Sequence, residues 1–251
     1  GKYGIHPTYI QVMINDLRYS EEDILAVIEY LKVEGGKKFS PEILDSAREF
    51  YNGELCGKWA PEEILRGREV LILGTGPGVA SHRQALENFI RKANPFVIAL
   101  NTQKQIDAKL IDARIACHPL RLLADCSEHS EFPQPLITPA SMLPDSVLSS
   151  LGNKALLDFG IGVQSKDFVF EKTYCELPNS MVMSYALAVS TSGKAKRILL
   201  SGFDGYEGDD PRNIENNQIF QKYMSHDESL ECVSITPTRY ELSSVSVYGL
   251  V

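Results

Sequence analysis

The sequence predicts an α/β protein with a doubly wound, mostly parallel sheet and an N-terminal all-helical appendage. From residue 69 onward, short apolar runs alternate with segments of helical spacing, which is the pattern of strand–helix–strand units. The segment 1–66 shows helical periodicity without a convincing strand. We therefore expect a helical connector over residues 1–66 and a Rossmann-like nucleotide-binding domain over residues 67–251.

The N-terminal segment contains three predicted helices, at 7–18, 20–32 and 40–51. The second starts at Ser20 with acidic residues close behind, at the positive end of the helix dipole. A short fourth helix is expected to begin near Ala60. Since the chain opens on Gly1-Lys2 without a methionine, we expect it to be part of a longer polypeptide.

The alternating region predicts seven strands and six helices. Strands are expected at 69–74, 96–101, 113–118, 135–138, 155–159, 197–202 and 231–236. Helices are expected at 80–92, 104–112, 119–126, 144–151, 180–191 and 213–224. The closing stretch, 230–251, has two β-rich runs around a Thr-Pro-Thr sequence, which predicts an antiparallel edge hairpin.

The most informative motif is the run EVLILGTGPGVA at 69–80, in which a strand meets a glycine-rich turn and then a helix. In this geometry backbone N–H groups face an anion, and glycines permit positive φ and close approach of a phosphate. The turn consists of Gly74, Thr75, Gly76, Pro77 and Gly78. Its spacing departs from the dinucleotide fingerprint, and the second strand ends in Asn101-Thr102-Gln103 rather than in an acid. We therefore predict a nucleotide or phosphate site and not a nicotinamide site.

Further candidate site residues follow other predicted strands, because ligands of doubly wound sheets bind beyond the carboxyl ends of the strands. Each has an alternative structural role: Asn101 as a turn cap, His118 as a packed neutral histidine, and Asn179 with Ser180 as a helix cap. Asp204 stands between glycines at a strand end, where ligand-contacting residues concentrate. The candidates beyond the glycine turn are Asn101, His118, Asn179, Ser180, Asp204 and Tyr206.

Several other chemistries have no support in the sequence. Asp209 and Asp210 suit Mg²⁺, but Asp210-Pro211 is typical of a turn, so we predict no metal site. The five cysteines are scattered without a C-x-x-C pair, as in a reduced cytoplasmic protein. Neither a Gly-x-Ser-x-Gly nucleophile elbow nor a P-loop Lys-Ser/Thr pair is present.

The composition is that of an ordinary globular protein, with 43% hydrophobic and 23% charged residues. A net charge of -8 argues against a broad nucleic-acid-binding face but not against a nucleotide, which backbone amides bind without net charge. No apolar run approaches the length of a membrane span, and we expect no signal peptide. We expect a cytoplasmic protein, with homo-oligomerisation left open.

The first ten residues, GKYGIHPTYI, resemble the segment that follows the barrel in aldolases similar to 4-hydroxy-2-oxovalerate aldolase and in the HMG-CoA-lyase-like group. This resemblance covers about the first 30 residues. It implies that an aldolase barrel, which carries the divalent metal and the carbon–carbon chemistry of that family, belongs to the same polypeptide. None of the barrel is in this chain.

A second resemblance spans about residues 70–247. ILGTGPG, ALNTQ and the later run NSMVMSYALAVSTSGKAKRILLSGFDGY are similar to bacterial CMP-sialic-acid-dependent sialyltransferases and to 6-hydroxymethylpterin diphosphokinase-like proteins. In the sialyltransferases, the matching positions imply that Gly74 to Gly78, Asn101, Ser180 (with Asn179 in place of Thr) and Tyr206 hold CMP. The family's catalytic-base histidine has only His226 as a counterpart, without the surrounding motif.

Together these observations favour a domain that binds a nucleotide or nucleotide-sugar, such as a CMP-linked one. Three hypotheses remain open: glycosyl transfer assisted by His118 or Asp204, nucleotide sensing for an aldolase barrel, and a non-catalytic regulatory or oligomerisation domain.

Overall fold

The computed structural model describes residues 54–143, 145–163, 166–179 and 181–250. The three helices predicted within 1–53 lie outside these residues, as does the segment that resembles aldolases. Of the predicted connector, the structure describes 54–66, where helix α1 spans Glu62–Leu65. Leu65 is fully buried in the core.

The main sheet has eight strands. They are β1 (Glu69–Leu73), β2 (Phe96–Leu100), β3 (Ala113–Ile115), β4 (Leu136–Thr138), β5 (Leu156–Asp158), β9 (Arg197–Ser201), β10 (Cys232–Ser234) and β11 (Ser243–Ser244). Their order across the sheet is β11-β10-β9-β1-β2-β3-β4-β5, and every neighbouring pair is parallel. This architecture confirms the predicted doubly wound, Rossmann-like α/β fold, with the first strand near the middle of the sheet.

Helices cover both faces of this sheet. Successive residues of β1 point to opposite faces, so that Val70 and Ile72 belong to one buried cluster while Leu71 and Leu73 belong to the other. The helices after α1 are α2 (Gly78–Ser81), α3 (Arg83–Ala93), α4 (Pro119–Ala124), α5 (Cys126–Glu131), α6 (Asp145–Ser150), α7 (Val182–Ser192) and α8 (Pro211–Met224). Helix α7 is buried almost throughout, which explains its uniformly apolar and small residues.

Short 3-10 turns lie at Ala108–Leu110, Ala140–Met142 and Val247–Gly249. The prediction of a helix at 104–112 is wrong, because this segment contains only the short turn at Ala108–Leu110. The Gln103 side chain accepts from the N–H of Gln105, and the Asp107 side chain accepts from that of Lys109. Such side-chain acceptors near the backbone favour turns over a continuous helix.

The predicted antiparallel hairpin at 230–251 is also wrong, because β10 and β11 pair in parallel. A second, three-stranded sheet was not predicted at all. It consists of β6 (Gly160–Gly162), β8 (Tyr174–Glu176) and β7 (Val169–Phe170), in that order. Its strands are only two or three residues long, too short for a visible alternation of apolar and polar residues.

Candidate active site

One pocket opens at the carboxyl ends of the central strands. The order of strands along the chain reverses between β1 and β9, because the chain runs outward from β1 through β5 and returns to β9 on the other side. This reversal is where doubly wound sheets bind ligands. The pocket is lined by Gly74, Thr75, Gly76, Pro77, Leu100, Asn101, Arg121, Met181, Val182, Met183, Gly202, Phe203, Asp204, Gly205, Tyr206, Asn216 and Tyr240.

The glycine loop after β1 packs against the loop after β9 through its own backbone. The N–H of Gly74 donates to Ser201 O at 2.7 Å, and that of Gly76 donates to Gly202 O at 2.8 Å. The N–H of Gly78 donates to Asp204 Oδ2 at 2.6 Å. Three loop amides are therefore used within the protein. Gly74 to Pro77 line the pocket, whereas Gly78 stands behind it as the partner of Asp204.

The close approach of these loops explains the three glycines of the turn, and a Cβ on Gly74 would lie 2.5 Å from Gly202 O. A Cβ on Gly76 would lie 2.6 Å from Gly202 O, and a Cβ on Gly78 would lie 2.6 Å from Asp204 Oδ1. All three distances are far below ordinary van der Waals contact. The structure thus requires glycine at 74, 76 and 78 for the packing of β1 against β9.

Asp204 lies half-buried at the centre of the pocket rim. Its Oδ1 is buried and has no hydrogen-bond partner within the described part of the chain. Burial raises the pKa of this carboxyl, although the Gly78 N–H and the charge of His82 oppose the rise. A carboxyl with a raised pKa and an unused oxygen in a cleft has the properties of a proton acceptor.

Asn101 follows β2 and adopts a left-handed backbone conformation, with φ at 50°. Asparagine tolerates this region better than most residues. Its carbonyl accepts from Arg114 Nη1 at 3.4 Å, and the same nitrogen binds Gln103 O. The Gln103 side chain in turn donates to Gly74 O at 2.5 Å. A buried network therefore joins the ends of β1, β2 and β3 beneath the pocket.

The β9 side of the pocket is aromatic and polar. Asn216 on α8 donates from Nδ2 to the Tyr240 hydroxyl at 2.8 Å, and burial raises the pKa of that phenol. The Oδ1 of Asn216 is buried and has no hydrogen-bond partner among the described residues. The guanidinium of Arg212 lies 3.6 Å from the centre of the Tyr206 ring, which holds the ring at the rim.

The side of the pocket next to β3, called the β3 side below, carries a positive charge. Arg121, in the first turn of α4, is the one positively charged side chain among the described residues that line the pocket. Its Nε lies 2.6 Å from Asp125 Oδ2, one helical turn further along. Phosphates and carboxylates are the groups that arginine binds best.

The remaining candidates lie elsewhere. His118 is buried and is not among the described residues that line the pocket. Burial lowers its pKa to about 4, so that the ring is neutral at pH 7. His226 packs edge-on against Phe170, with ring centres 4.9 Å apart. Asn179 accepts from Met181 N and Ser184 Oγ, and so shapes the start of α7 as a cap does. Ser180 lies outside the described residues.

The described residues contain no group of histidine, cysteine or acidic side chains arranged to hold a metal. Asp210 instead caps α8, accepting from the N–H of Arg212, and the two side chains form a bidentate ion pair. This pair lowers the pKa of Asp210 to about 2. Within the same residues, no helix is long and apolar enough to cross a membrane.

No protein-family model and no curated protein matches the chain. Among solved structures, the chain is similar to the Maf glycosyltransferase of Magnetospirillum magneticum AMB-1, with a TM-score of 0.56 and 10% sequence identity. The similarity covers 93% of this chain and 43% of that chain, so this chain spans less than half of its structural neighbour. At this identity the likeness shows only that the two proteins share a fold. The comparisons give no support to the aldolase resemblance.

Ten of the lining residues were not among the predicted site residues: Leu100, Arg121, Met181, Val182, Met183, Gly202, Phe203, Gly205, Asn216 and Tyr240. Arg121 follows His118-Pro119 just beyond β3, so the rule that selects residues after strand ends applied to it too. Met183, Asn216 and Tyr240 come from helices or from a late loop, and no local pattern distinguishes them from packing residues.

Proposed function

We propose that this domain binds a nucleotide or nucleotide-sugar, of the CMP-linked type, in the pocket at the ends of β9, β1 and β2. The observation that carries the proposal is convergence: Gly74 to Pro77, Asn101, Asp204 and Tyr206 line one cleft although they are far apart in sequence. The cleft has a volume of about 360 Å³, within the range of small-molecule sites.

The chemistry of the walls suits such a ligand. Met181, Val182 and Met183 form an apolar wall against which a base can lie, and Phe203 adds to the apolar surface. The side chains of Asn101, Asn216 and Tyr240 offer amide and hydroxyl groups for the polar edges of a base or ribose. The predicted roles of the glycine loop, Asn101 and Tyr206 as nucleotide contacts belong to this proposal.

The glycosyltransferase-like fold supports transfer of a glycosyl group from such a donor. In this reaction the bond between the anomeric carbon and a phosphate oxygen breaks, and the nucleotide leaves with the bonding electrons. A bond forms from the acceptor oxygen to the anomeric carbon, and the acceptor proton passes to the carboxylate of Asp204. We assign the proton to Asp204 because His118 lies outside the described pocket lining.

Binding without transfer is the second candidate. One Asp204 oxygen is already held by Gly78, and both His118 and His226 are placed away from the pocket lining described above. In this version the domain senses a nucleotide or nucleotide-sugar and regulates a partner, and the carboxylate serves only to join the two loops.

A thermal-unfolding screen of the 251-residue chain with CMP, CDP, UDP, GDP and ADP tests binding. A ligand at a hundred times its Kd adds about 2.7 kcal/mol to the free energy of unfolding. If none of the five compounds raises the unfolding temperature, the proposal is contradicted.

Release of CMP from CMP-sialic acid, followed by chromatography, then separates the two candidates. Turnover that is abolished in Asp204→Asn while CMP still binds supports transfer. Binding of CMP-sialic acid without any release supports the sensing role.

A further inference from the structure

We infer that the anionic group of the ligand binds to Arg121, at the β3 side of the pocket, rather than to the backbone amides of the glycine loop. This inference rests on the proposed function, because it concerns the same pocket. It assigns a positioning and specificity role to Arg121 and a class to the ligand: one with a phosphate or a carboxylate at the end opposite Tyr206.

The glycine loop has little capacity left for an anion. The N–H groups of Gly74, Gly76 and Gly78 donate to Ser201 O, Gly202 O and Asp204 Oδ2, and Pro77 has no N–H. Of the loop amides, only that of Thr75 has no acceptor among the described residues. The carboxylate bound to Gly78 stands where a phosphate oxygen would otherwise be held by the loop. Its negative charge also repels a second anion at this position.

The side of the pocket next to β3 is positively charged, whereas the glycine loop lies against the negative charge of Asp204. Arg121 lines the pocket with its side chain 18% exposed, and Arg114 is buried beneath Asn101. Arg114 donates to the carbonyls of Asn101 and Gln103 and to Gln134 Oε1, and within the described residues it forms no ion pair with an acid. Its buried charge therefore adds to the positive potential around Arg121.

The acids that pair with or act on the cations of this side include Asp125 and Glu128, and the charge of Glu128 acts on Arg114. Asp125 pairs with Arg121, and Glu128 pairs with Lys104 at 3.3 Å on the surface. The charge of Arg121 also reaches His129, whose pKa falls to about 4 through burial and through the charges of Arg114, Lys154 and Arg121. The cations of this region thus outweigh the acids that face Arg121.

These charges orient the ligand along the strand ends. The polar aromatic side, with Tyr206, Asn216 and Tyr240, follows β9, and Arg121 follows β3. Three strand spacings separate β9 from β3, which is about 14 Å. A ligand that spans the pocket therefore places its neutral nucleoside toward α8, with the base against the apolar wall at the start of α7, and its anion near α4.

Isothermal titration calorimetry of the wild-type chain and of Arg121→Gln tests this inference. The probes are cytidine, CMP, CMP-sialic acid and inorganic diphosphate. The matched control is Arg83→Gln, which removes another arginine that pairs with an acid four residues later, but outside the described pocket lining.

We expect Arg121→Gln to weaken CMP binding by about 10- to 100-fold and to leave cytidine unchanged, as charge-assisted hydrogen bonds are lost. A loss confined to CMP-sialic acid, with CMP unchanged, assigns the contact to the sugar carboxylate instead. Arg83→Gln should behave as the wild type with every probe.

Equal affinities in Arg121→Gln and the wild type, an equal loss for cytidine, or an equal effect of Arg83→Gln overturns the inference. If the wild type binds diphosphate through Arg121 but no cytidine compound, the anion site stands and the proposed CMP-type ligand fails. If it binds none of the probes, both fail. Should Arg121→Gln not fold, the double variant with Asp125→Asn removes the ion pair without leaving an unpaired carboxylate, and the same criteria apply.

Discussion

The backbone N–H of Gly78 donates a 2.6 Å hydrogen bond to the carboxylate of Asp204, 126 residues later in the chain. This contact ties the loop after β1 to the loop after β9, the two strands that flank the reversal of strand order. One carboxylate oxygen is used to assemble the pocket, and the other is buried and has no hydrogen-bond partner among the described residues. Asp204 therefore combines a structural role with the geometry of a reactive group.

Gly76→Ala should destabilise the protein by about 1–3 kcal/mol, the usual cost of forcing an extra carbon into a packed site. The new Cβ would lie 2.6 Å from Gly202 O and 2.8 Å from Asp204 Oδ1. Urea unfolding measures the change. Gly249→Ala is the control, since nothing lies within 4 Å of its Cβ position. Equal stability of the two variants contradicts the packing argument.

Asp204→Asn should gain stability relative to the wild type as the pH rises from about 4 to about 7. Burial raises the pKa of Asp204 in the folded state, so that ionisation costs stability as the pH rises through that pKa. Asp210→Asn should show the opposite sign. The pKa of Asp210 is lowered to about 2 by Arg212, so the wild type keeps the benefit of ionisation above about pH 4 and loses it toward pH 2.

Thermal unfolding of the wild type and both variants, from about pH 2.5 to about pH 7, measures these differences. The control is internal, because the two aspartates are replaced by the same residue with opposite expected trends. Parallel curves for Asp204→Asn and Asp210→Asn contradict the assigned environment of Asp204.

Asn101→Gly should lower the affinity for the bound nucleotide by about fivefold, as one neutral hydrogen bond of about 1 kcal/mol is lost. Glycine is the suitable replacement because Asn101 has φ at 50°, which would strain alanine. Asn94→Gly is the matched control, with φ at 51° at the end of α3 and outside the described pocket lining. An equal effect of the two variants in calorimetry removes Asn101 from the site.

His118 and His129 should remain neutral down to about pH 4 in the folded protein, because burial lowers the pKa of both rings from 6.5 to about 4. The neutral rings stabilise the folded state above about pH 6.5, and this contribution is lost as the pH falls toward about 4. Nitrogen chemical shifts measured by NMR during a pH titration check the prediction. A midpoint near 6.5 for His118, its ordinary pKa, contradicts its burial and restores it as a candidate for proton transfer at neutral pH.

Local patterns in the sequence were enough to predict the central strands and the edge of the sheet at which the pocket lies. The run from Val70 to Leu73 is apolar on both faces of a strand and stops at a glycine turn, which is a local and nearly unambiguous pattern. Because parallel strands end at one edge, the residues after β1, β2 and β9 had to lie near each other. Gly74 to Pro77, Asn101, Asp204 and Tyr206, which were selected in this way, line one pocket, and their roles as ligand contacts stay a prediction.

The contacts among these residues, by contrast, could be seen only in the folded chain. Whether Gly78 faces a ligand or Asp204, and whether Asn216 and Tyr240 meet in the pocket, depends on how β9 and α8 pack, which involves contacts between distant segments. Such contacts leave no periodic signal in the sequence, unlike the burial of a strand. The same reason explains the parallel pairing of β11. The turn at Ala108–Leu110 has a local cause instead, because side-chain hydrogen bonds such as that from Lys109 N–H to Asp107 outweigh the apolar spacing.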